Sequence, residues 1–306
     1  MNKQDAERII KMPLEELLLL ANRTRSEEVG REIEICGVVN AKSGKCSEDC
    51  KFCAQSGHYS TELNEFSLRS KDDIVSEAIE AKRNGSDRFG IVTSGNRLTR
   101  DEIRRIAEAI SEIRKRVDII PCASLGALDA DSFAILKEAG LSRYHHNLET
   151  SERFYPQIVS THDYSERVNT IRNAAEAGLE VCSGGIFGLG ETWEDRIDMA
   201  FLLKAMKVDS VPMNFLVPIK GTPLENAPPI SPLEAIRTIA LFRLILKGVT
   251  IKVVAGRETV LKDFQGMMYS AGANGMMVGG YLTIAGRSPE EDQALIGEIK
   301  KLWNEE

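Results

Sequence analysis

A closed (β/α)8 barrel of the TIM type, an α/β fold, is the architecture that the sequence predicts, and three observations lead to it. Short apolar runs, each followed by an amphipathic stretch, recur about eight times along the 306 residues. The runs are mostly β-branched or small, as in strands buried on both faces of a parallel sheet. No low-complexity tract or linker divides the repeats. Alternating strand and helix with short right-handed crossovers gives a parallel sheet, and eight repeats favour a closed barrel over an open doubly wound sheet. Residues 1–306 are therefore read as one barrel domain with extra helices at both ends.

The apolar runs cover 33–39, 89–93, 118–123, 143–148, 179–186, 210–217, 249–254 and 275–278. Between them, Ile103, Ile106, Ile110 and Ile113 recur at helical spacing, with Glu102, Arg104, Arg105 and Glu108 interleaved. That spacing sets one apolar stripe against a core and the charges in water. Similar patterns predict helices over 72–83, 165–177, 192–206 and 232–247, the last opened by Ser231 as cap and Pro232 at the first helical position. Helices over 14–23 and 289–303 lie outside the eightfold count and are expected to cap the barrel or mediate dimer contacts. In such barrels the chemistry sits at the carboxyl ends of the strands, so functional residues are expected at or just after each run.

The formal charge is −7 and no Lys/Arg run stands out, which argues against nucleic acid and anionic membrane surfaces as partners. The apolar cluster Leu17-Leu18-Leu19-Leu20-Ala21 is far shorter than a bilayer requires. The opening Met1-Asn2-Lys3-Gln4-Asp5 lacks the basic-then-apolar order of a signal peptide, so a cytoplasmic location is expected. Six cysteines in such a chain read as metal ligands or buried thiols, not disulfides.

Immediately after the first run comes a polar loop in which Cys46, Cys50 and Cys53 are spaced Cys-x3-Cys-x2-Cys. Thiolates are soft ligands suited to iron–sulfur clusters. Three of them occupy three irons of a 4Fe–4S cubane and leave the fourth open to chelate the amino and carboxylate groups of S-adenosylmethionine (SAM). One electron passed into the sulfonium then releases a 5′-deoxyadenosyl radical, with the cofactors supplying the difficult chemistry. The competing reading is a structural zinc site with His58 as fourth ligand; the loop's place after the first barrel strand favours the cluster.

The segment Cys46-Ser47-Glu48-Asp49-Cys50-Lys51-Phe52-Cys53-Ala54-Gln55-Ser56 resembles the cluster loop of the biotin synthases, a family of radical SAM enzymes. The resemblance continues through Asn147-Leu148-Glu149-Thr150-Ser151, Val181-Cys182-Ser183-Gly184-Gly185-Ile186 and Gly188-Leu189-Gly190-Glu191-Thr192. Further matches are Ser210-Val211-Pro212-Met213-Asn214, Gly221-Thr222-Pro223-Leu224, Ala255-Gly256-Arg257-Glu258 and Ala271-Gly272-Ala273-Asn274. These span nearly the whole chain in the family's order. The resemblance implies insertion of sulfur between C6 and C9 of dethiobiotin, with two deoxyadenosyl radicals abstracting hydrogens in turn and an auxiliary iron–sulfur cluster donating the sulfur. It also implies a homodimer and a flavodoxin- or ferredoxin-type reductant. The alternative is another enzyme of the same branch, such as a methylornithine synthase or a hydrogenase-maturation enzyme.

Cys36, Cys122 and Cys182 fall in the first, third and fifth runs, and alternate strands contribute to one interior layer of a barrel. Each alone reads most simply as a small buried residue. In the family, a 2Fe–2S auxiliary cluster is held by three cysteines and an arginine. The resemblance assigns Cys122, Cys182 and Arg257 to three of those positions. The remaining cysteine is missing, because the second run reads Arg88-Phe89-Gly90, while Cys36 stands where the family usually has serine. A ligand has moved from the second strand to the first, which implies either an unusual 2Fe–2S site or a larger three-cysteine cluster carrying extra sulfide. Arg257 is expected as a ligand or as a hydrogen-bonding counter-charge.

By the same resemblance Asn147 and Glu149 contact SAM, Ile186 packs on adenine, and Phe52 shields the cluster or lies along the adenine. The family more often has Asp at the position of Glu149. Asn214 matches a contact to the ureido ring of dethiobiotin, as does His145, which replaces a common Asn. Thr283 matches one of a Thr pair holding the substrate carboxylate, its neighbour here being Ile284.

Overall fold

The computed structural model describes residues 1–282 and 286–304. Among them, nine strand segments form one parallel sheet: β1 Glu34–Lys42, β2 Arg88–Thr93, β3 Ile120–Ser124, β4 Arg143–His145, β5 Glu180–Cys182, β6 Gly185–Phe187, β7 Ser210–Phe215, β8 Thr250–Val253 and β9 Gly275–Met277. Neighbours run β5-β4-β3-β2-β1-β9-β8-β7-β6, and Cys182 of β5 also pairs with Ser210 of β7. The sheet thus closes on itself. β5 and β6 are two pieces of one barrel strand, so the eight predicted strands are all present. The interruption at Ser183-Gly184 has a local cause. Ser183 N–H still reaches Ser210 O at 2.9 Å, but the Gly184 carbonyl turns to accept from Leu148 N–H and Glu149 N–H at 2.9 and 3.2 Å.

The helices are α1 Lys3–Ile9, α2 Leu14–Glu28, α3 Lys71–Arg83, α4 Arg100–Arg116, α5 Ala130–Glu138, α6 Tyr164–Glu176, α7 Trp193–Ala205, α8 Pro232–Leu246, α9 Met267–Ser270 and α10 Pro289–Asn304. Cap residues start most of them. Ser70, Asp129 and Ser231 each accept from a first-turn N–H, and Thr99 with Glu102 and Thr192 with Asp195 form capping boxes. The stripe Ile103, Ile106, Ile110 and Ile113 of α4 is fully buried, worth roughly 1.5–3 kcal/mol per side chain. Sequence periodicity does not single out α5, because nine residues carry little more than two turns of pattern; Phe133 and Leu136 are its buried face. The terminal helices pack on the outside of the barrel. α2 lies along α8 and α9, while Trp303 of α10 meets Tyr269 edge-on and carries the Arg25 guanidinium 3.7 Å above its ring. No helix among the described residues is long and apolar enough to cross a membrane.

Candidate active site

A cavity of about 390 Å³ enters the barrel, and residues from nearly every strand line it. Cys36, Arg88, Cys122, Arg143, Cys182 and Lys252 lie deep, near the starts of their strands or at mid-strand. Phe52, Cys53, Asn147, Glu149, Ile186 and Asn214 stand nearer the carboxyl ends.

The loop after β1 is held by its own backbone. Cys46 N–H donates to Gln55 O at 3.0 Å, Gly57 N–H to Cys46 O at 2.7 Å, and Cys53 N–H to Cys50 O at 3.0 Å. Asp49 fixes the loop to the segment before α6, accepting from Ser160 N–H at 2.8 Å and Thr161 N–H at 3.2 Å. Slight burial opposes its charge, yet these donors and the Ser160 hydroxyl hold its carboxyl at about 2. Cys50 is buried and Cys53 faces the cavity. Burial and the neighbouring thiols push the Cys50 thiol up, and burial brings Cys53 to about 11, so metal binding here must displace protons. His58 Nε2 is engaged by Ser47 O at 2.8 Å. Among the described residues no three His, Cys, Asp or Glu side chains stand close enough to share one metal ion.

A buried chain of hydrogen bonds runs from this loop to the mouth of the cavity. Glu48 Oε2 meets His162 Nδ1 at 2.7 Å, His162 Nε2 meets Tyr155 OH at 2.8 Å, and Arg167 Nε donates to Tyr155 OH at 2.6 Å. Arg167 Nη1 then donates to Asn147 O at 3.0 Å and lies 3.7 Å from Glu149 Oε1. Asn147 Nδ2 donates to Glu149 Oε2 at 3.2 Å, and its Oδ1 accepts Gly184 N–H at 3.1 Å. Glu149 is in the left-handed region with φ 69°, a conformation costing about 1–3 kcal/mol that tends to mark functional sites. Its carbonyl accepts Ile186 N–H at 2.8 Å, and a Cβ at Gly185 would lie 2.4 Å from that same oxygen, so only glycine fits opposite. Glu149 on this strained backbone lines the cavity together with Ile186 and Phe52.

Cys36, Cys122 and Cys182 do converge on the deep part of the cavity. Lys252, buried in β8, places Nζ 3.3 Å from Cys36 Sγ and 3.1 Å from Glu34 Oε1. Arg88 Nε and Arg143 Nη1 both donate to Glu34 at 2.6 Å. Burial opposes ionisation of Cys182, but the Lys252 cation, a contact from His145 Nδ1 at 3.4 Å and Arg143 outweigh it and bring this thiol to about 6. Cys122 is pushed up to about 12 by burial and by Cys36, and Cys36 is raised by burial as well.

His145 lines the cavity beside Cys182. Asn214 also lines it, with its amide tied to Gly185 O at 3.2 Å and to Ala255 N–H at 3.3 Å. Thr283 lies outside the described residues. Arg257 requires a correction. Expected beside the three cysteines, it is fully buried elsewhere and does not line the cavity; Nη2 bonds Asp292 and Glu258 at 2.9 Å each, and Nη1 bonds Gln265 at 2.6 Å. Lys252, with Arg88 and Arg143, supplies the positive charge among the thiols, and Lys252 touches Cys36 Sγ. Sequence reasoning missed it together with Glu34, Arg88 and Arg143, although charged residues inside otherwise apolar strands are themselves a signal. His162, Tyr155 and Arg167 were missed too, since nothing in their spacing ties them to the cysteine loop.

Residues 41–203 match the family model of the radical SAM superfamily, and residues 212–300 match that of the biotin and thiamin synthesis associated domain. A biotin synthase of Thermotoga petrophila is 51% identical over 96% of this chain and 97% of its own. One of Thermotoga neapolitana is 54% identical over 88% of this chain and 97% of its own. Among solved structures, the FeFe-hydrogenase maturase HydG from Carboxydothermus hydrogenoformans superposes with a TM-score of 0.82 at 20% identity, covering 97% of this chain and 75% of that one. A methylornithine synthase superposes with a TM-score of 0.77 at 20% identity, covering 90% and 82%. At such identities these two structures speak only to the shared barrel.

Proposed function

The chain belongs to the biotin synthase family of radical SAM enzymes, and on that footing we propose how its residues share the work. The family brings with it a 4Fe–4S cluster, SAM and dethiobiotin as substrate. When bound, the cluster and SAM supply a 5′-deoxyadenosyl radical able to take hydrogen from an unactivated carbon.

Cys46, Cys50 and Cys53 hold the cluster at the cavity mouth. Glu149 and Asn147 orient SAM, the carboxylate accepting from ribose hydroxyls, while Ile186 and Phe52 cover the adenine and keep water from the radical. Asn214 and His145 face the substrate. Cys36, Cys122 and Cys182 carry an auxiliary iron–sulfur cluster, either 2Fe–2S or a larger three-cysteine cluster, from which sulfur is delivered. The observation that carries this reading is that Cys53 of the loop and Cys36, Cys122 and Cys182 of the strands line one cavity, with Asn214 and Glu149 lining it too. Treating residues 1–306 as one domain is supported by the single closed sheet that both family segments share. The reading extends to a cytoplasmic homodimer reduced by a flavodoxin- or ferredoxin-type protein; the six cysteines, all free, accord with a reducing compartment.

The test is product analysis. Anaerobically reconstituted protein given SAM, dithionite and dethiobiotin is expected to yield biotin and 5′-deoxyadenosine. Neither biotin nor 9-mercaptodethiobiotin forming would overturn the reading and favour another chemistry on the same barrel. Iron and acid-labile sulfide counts with and without Cys36→Ala then separate the two auxiliary clusters.

A further inference from the structure

The deep wall of the cavity has an uneven charge count. Glu34 accepts from Arg88, Arg143 and Lys252, at 2.6, 2.6 and 3.1 Å. Glu180, more open to solvent, takes second contacts from Arg88 and Arg143 at 3.0 and 2.8 Å. Three cations against two carboxylates leave one positive charge over. The surplus sits where the cysteines are. Lys252 Nζ is 3.3 Å from Cys36 Sγ, and Arg88 Nη1 is buried with no hydrogen-bond partner. A buried surplus charge and a buried orphan donor are both costly unless something anionic meets them.

Without extra sulfide, three thiolates on a dicationic iron–sulfur core carry one net negative charge, whether the core has two irons or four. That equals the surplus on the wall. Resting on the reading of Cys36, Cys122 and Cys182 as a cluster site, we propose that Lys252 is the positioning residue that balances the charge of this site, so that three thiolates and a cluster can be buried together beside Glu34. Lys252 is not an iron ligand in this role. Its ammonium acts through space and through its contact to Cys36 Sγ, and the tuning of buried clusters by nearby charge is the general precedent.

The test uses the full chain, reconstituted anaerobically, with iron, labile sulfide and the auxiliary midpoint potential as readouts. Lys252→Met keeps the length and apolar stem without the charge. It is expected to keep the iron of the loop cluster but to lose auxiliary iron, or to hold it at a more negative potential, because reduction adds negative charge that nothing offsets. Lys252→Arg is expected to restore both. The double variant Glu34→Gln/Lys252→Met removes one charge of each sign, returns the surplus to its native value and is expected to recover auxiliary iron. Native iron content and potential in Lys252→Met overturn the proposal, and so does a double variant that folds yet stays empty at the auxiliary site. Should Lys252→Met alone fail to fold, the double variant and Lys252→Arg decide. If the native chain itself holds iron only for the loop cluster, the cluster reading of the three cysteines fails and takes the proposal with it. A native chain with both clusters and an indifferent Lys252→Met sinks the proposal alone.

Discussion

Arg257 and Asp292 meet at 2.9 Å with neither side chain exposed, joining the turn after β8 to α10. Glu258, the other anionic partner of Arg257, receives the Tyr281 hydroxyl at 3.0 Å, and Tyr281 lines the cavity. The pair therefore latches the carboxy-terminal segment against the barrel mouth. Arg257→Ala strands a buried carboxylate, which typically costs about 3–5 kcal/mol. Thermal melting should show that loss, while iron per folded chain stays native. A fall in auxiliary iron at unchanged stability would return Arg257 to the cluster.

Gly185 faces the Glu149 carbonyl too closely to carry a side chain. Gly185→Ala must push the 149–150 turn aside, and the carboxylate of Glu149 with it. An effect of about 1–3 kcal/mol is expected, by the scale of local backbone strain. KM for SAM should rise by roughly tenfold or more, on the rule that 1.4 kcal/mol is a factor of ten. An unaltered KM for SAM in a folded Gly185→Ala protein would show that Glu149 does not hold the cofactor.

His162 is the link between Glu48 in the cysteine loop and Tyr155. His162→Ala leaves two buried polar groups short of a partner, a loss of about 1–3 kcal/mol. The electron paramagnetic resonance spectrum of the reduced loop cluster should then respond less to added SAM, and His162→Gln should recover part of the response. A spectrum identical to native in His162→Ala would mean that the chain of hydrogen bonds does not orient the loop.

Asp195 caps α7 and accepts from Ser151 Oγ at 2.6 Å and Thr192 N–H at 2.8 Å. Burial works against its charge, but these donors and Arg153 hold its carboxyl below the ordinary value. A lowered folded-state value means that the stabilisation is complete above the usual carboxylate range and fades as pH falls through the lowered one. Asp195→Ala should cost about 1–2 kcal/mol at pH 7, typical of a lost cap. Melts taken at falling pH should show the native and variant curves approaching each other below about pH 4. A constant gap would deny Asp195 this role.

The barrel could be read because each strand is buried on both faces and each helix has one apolar stripe, and both patterns are local. Cys46, Cys50 and Cys53 could be picked out as a candidate set for the same reason: a short spacing within a single loop. Cys36, Cys122 and Cys182 needed the barrel as well, since only its closure brings β1, β3 and β5 together. Arg257 shows where such reading stops. Gly256, with φ 81°, turns the chain out of the barrel just before it, and a Cβ there would lie 2.1 Å from Phe215 O. A matched Ala-Gly-Arg-Glu motif does not carry that direction. Lys252 is still within β8 and points inward, but its partners come from β1, and His162 and Glu48 stand more than a hundred residues apart.

The most direct test of two cysteine sets serving one cavity is to give reductant, SAM and dethiobiotin to Cys182→Ser and to quantify 5′-deoxyadenosine and biotin together. The account predicts that deoxyadenosine still forms, since Cys46, Cys50 and Cys53 are intact, and that biotin does not. Biotin at the native rate would contradict it, as would the loss of deoxyadenosine from a folded variant.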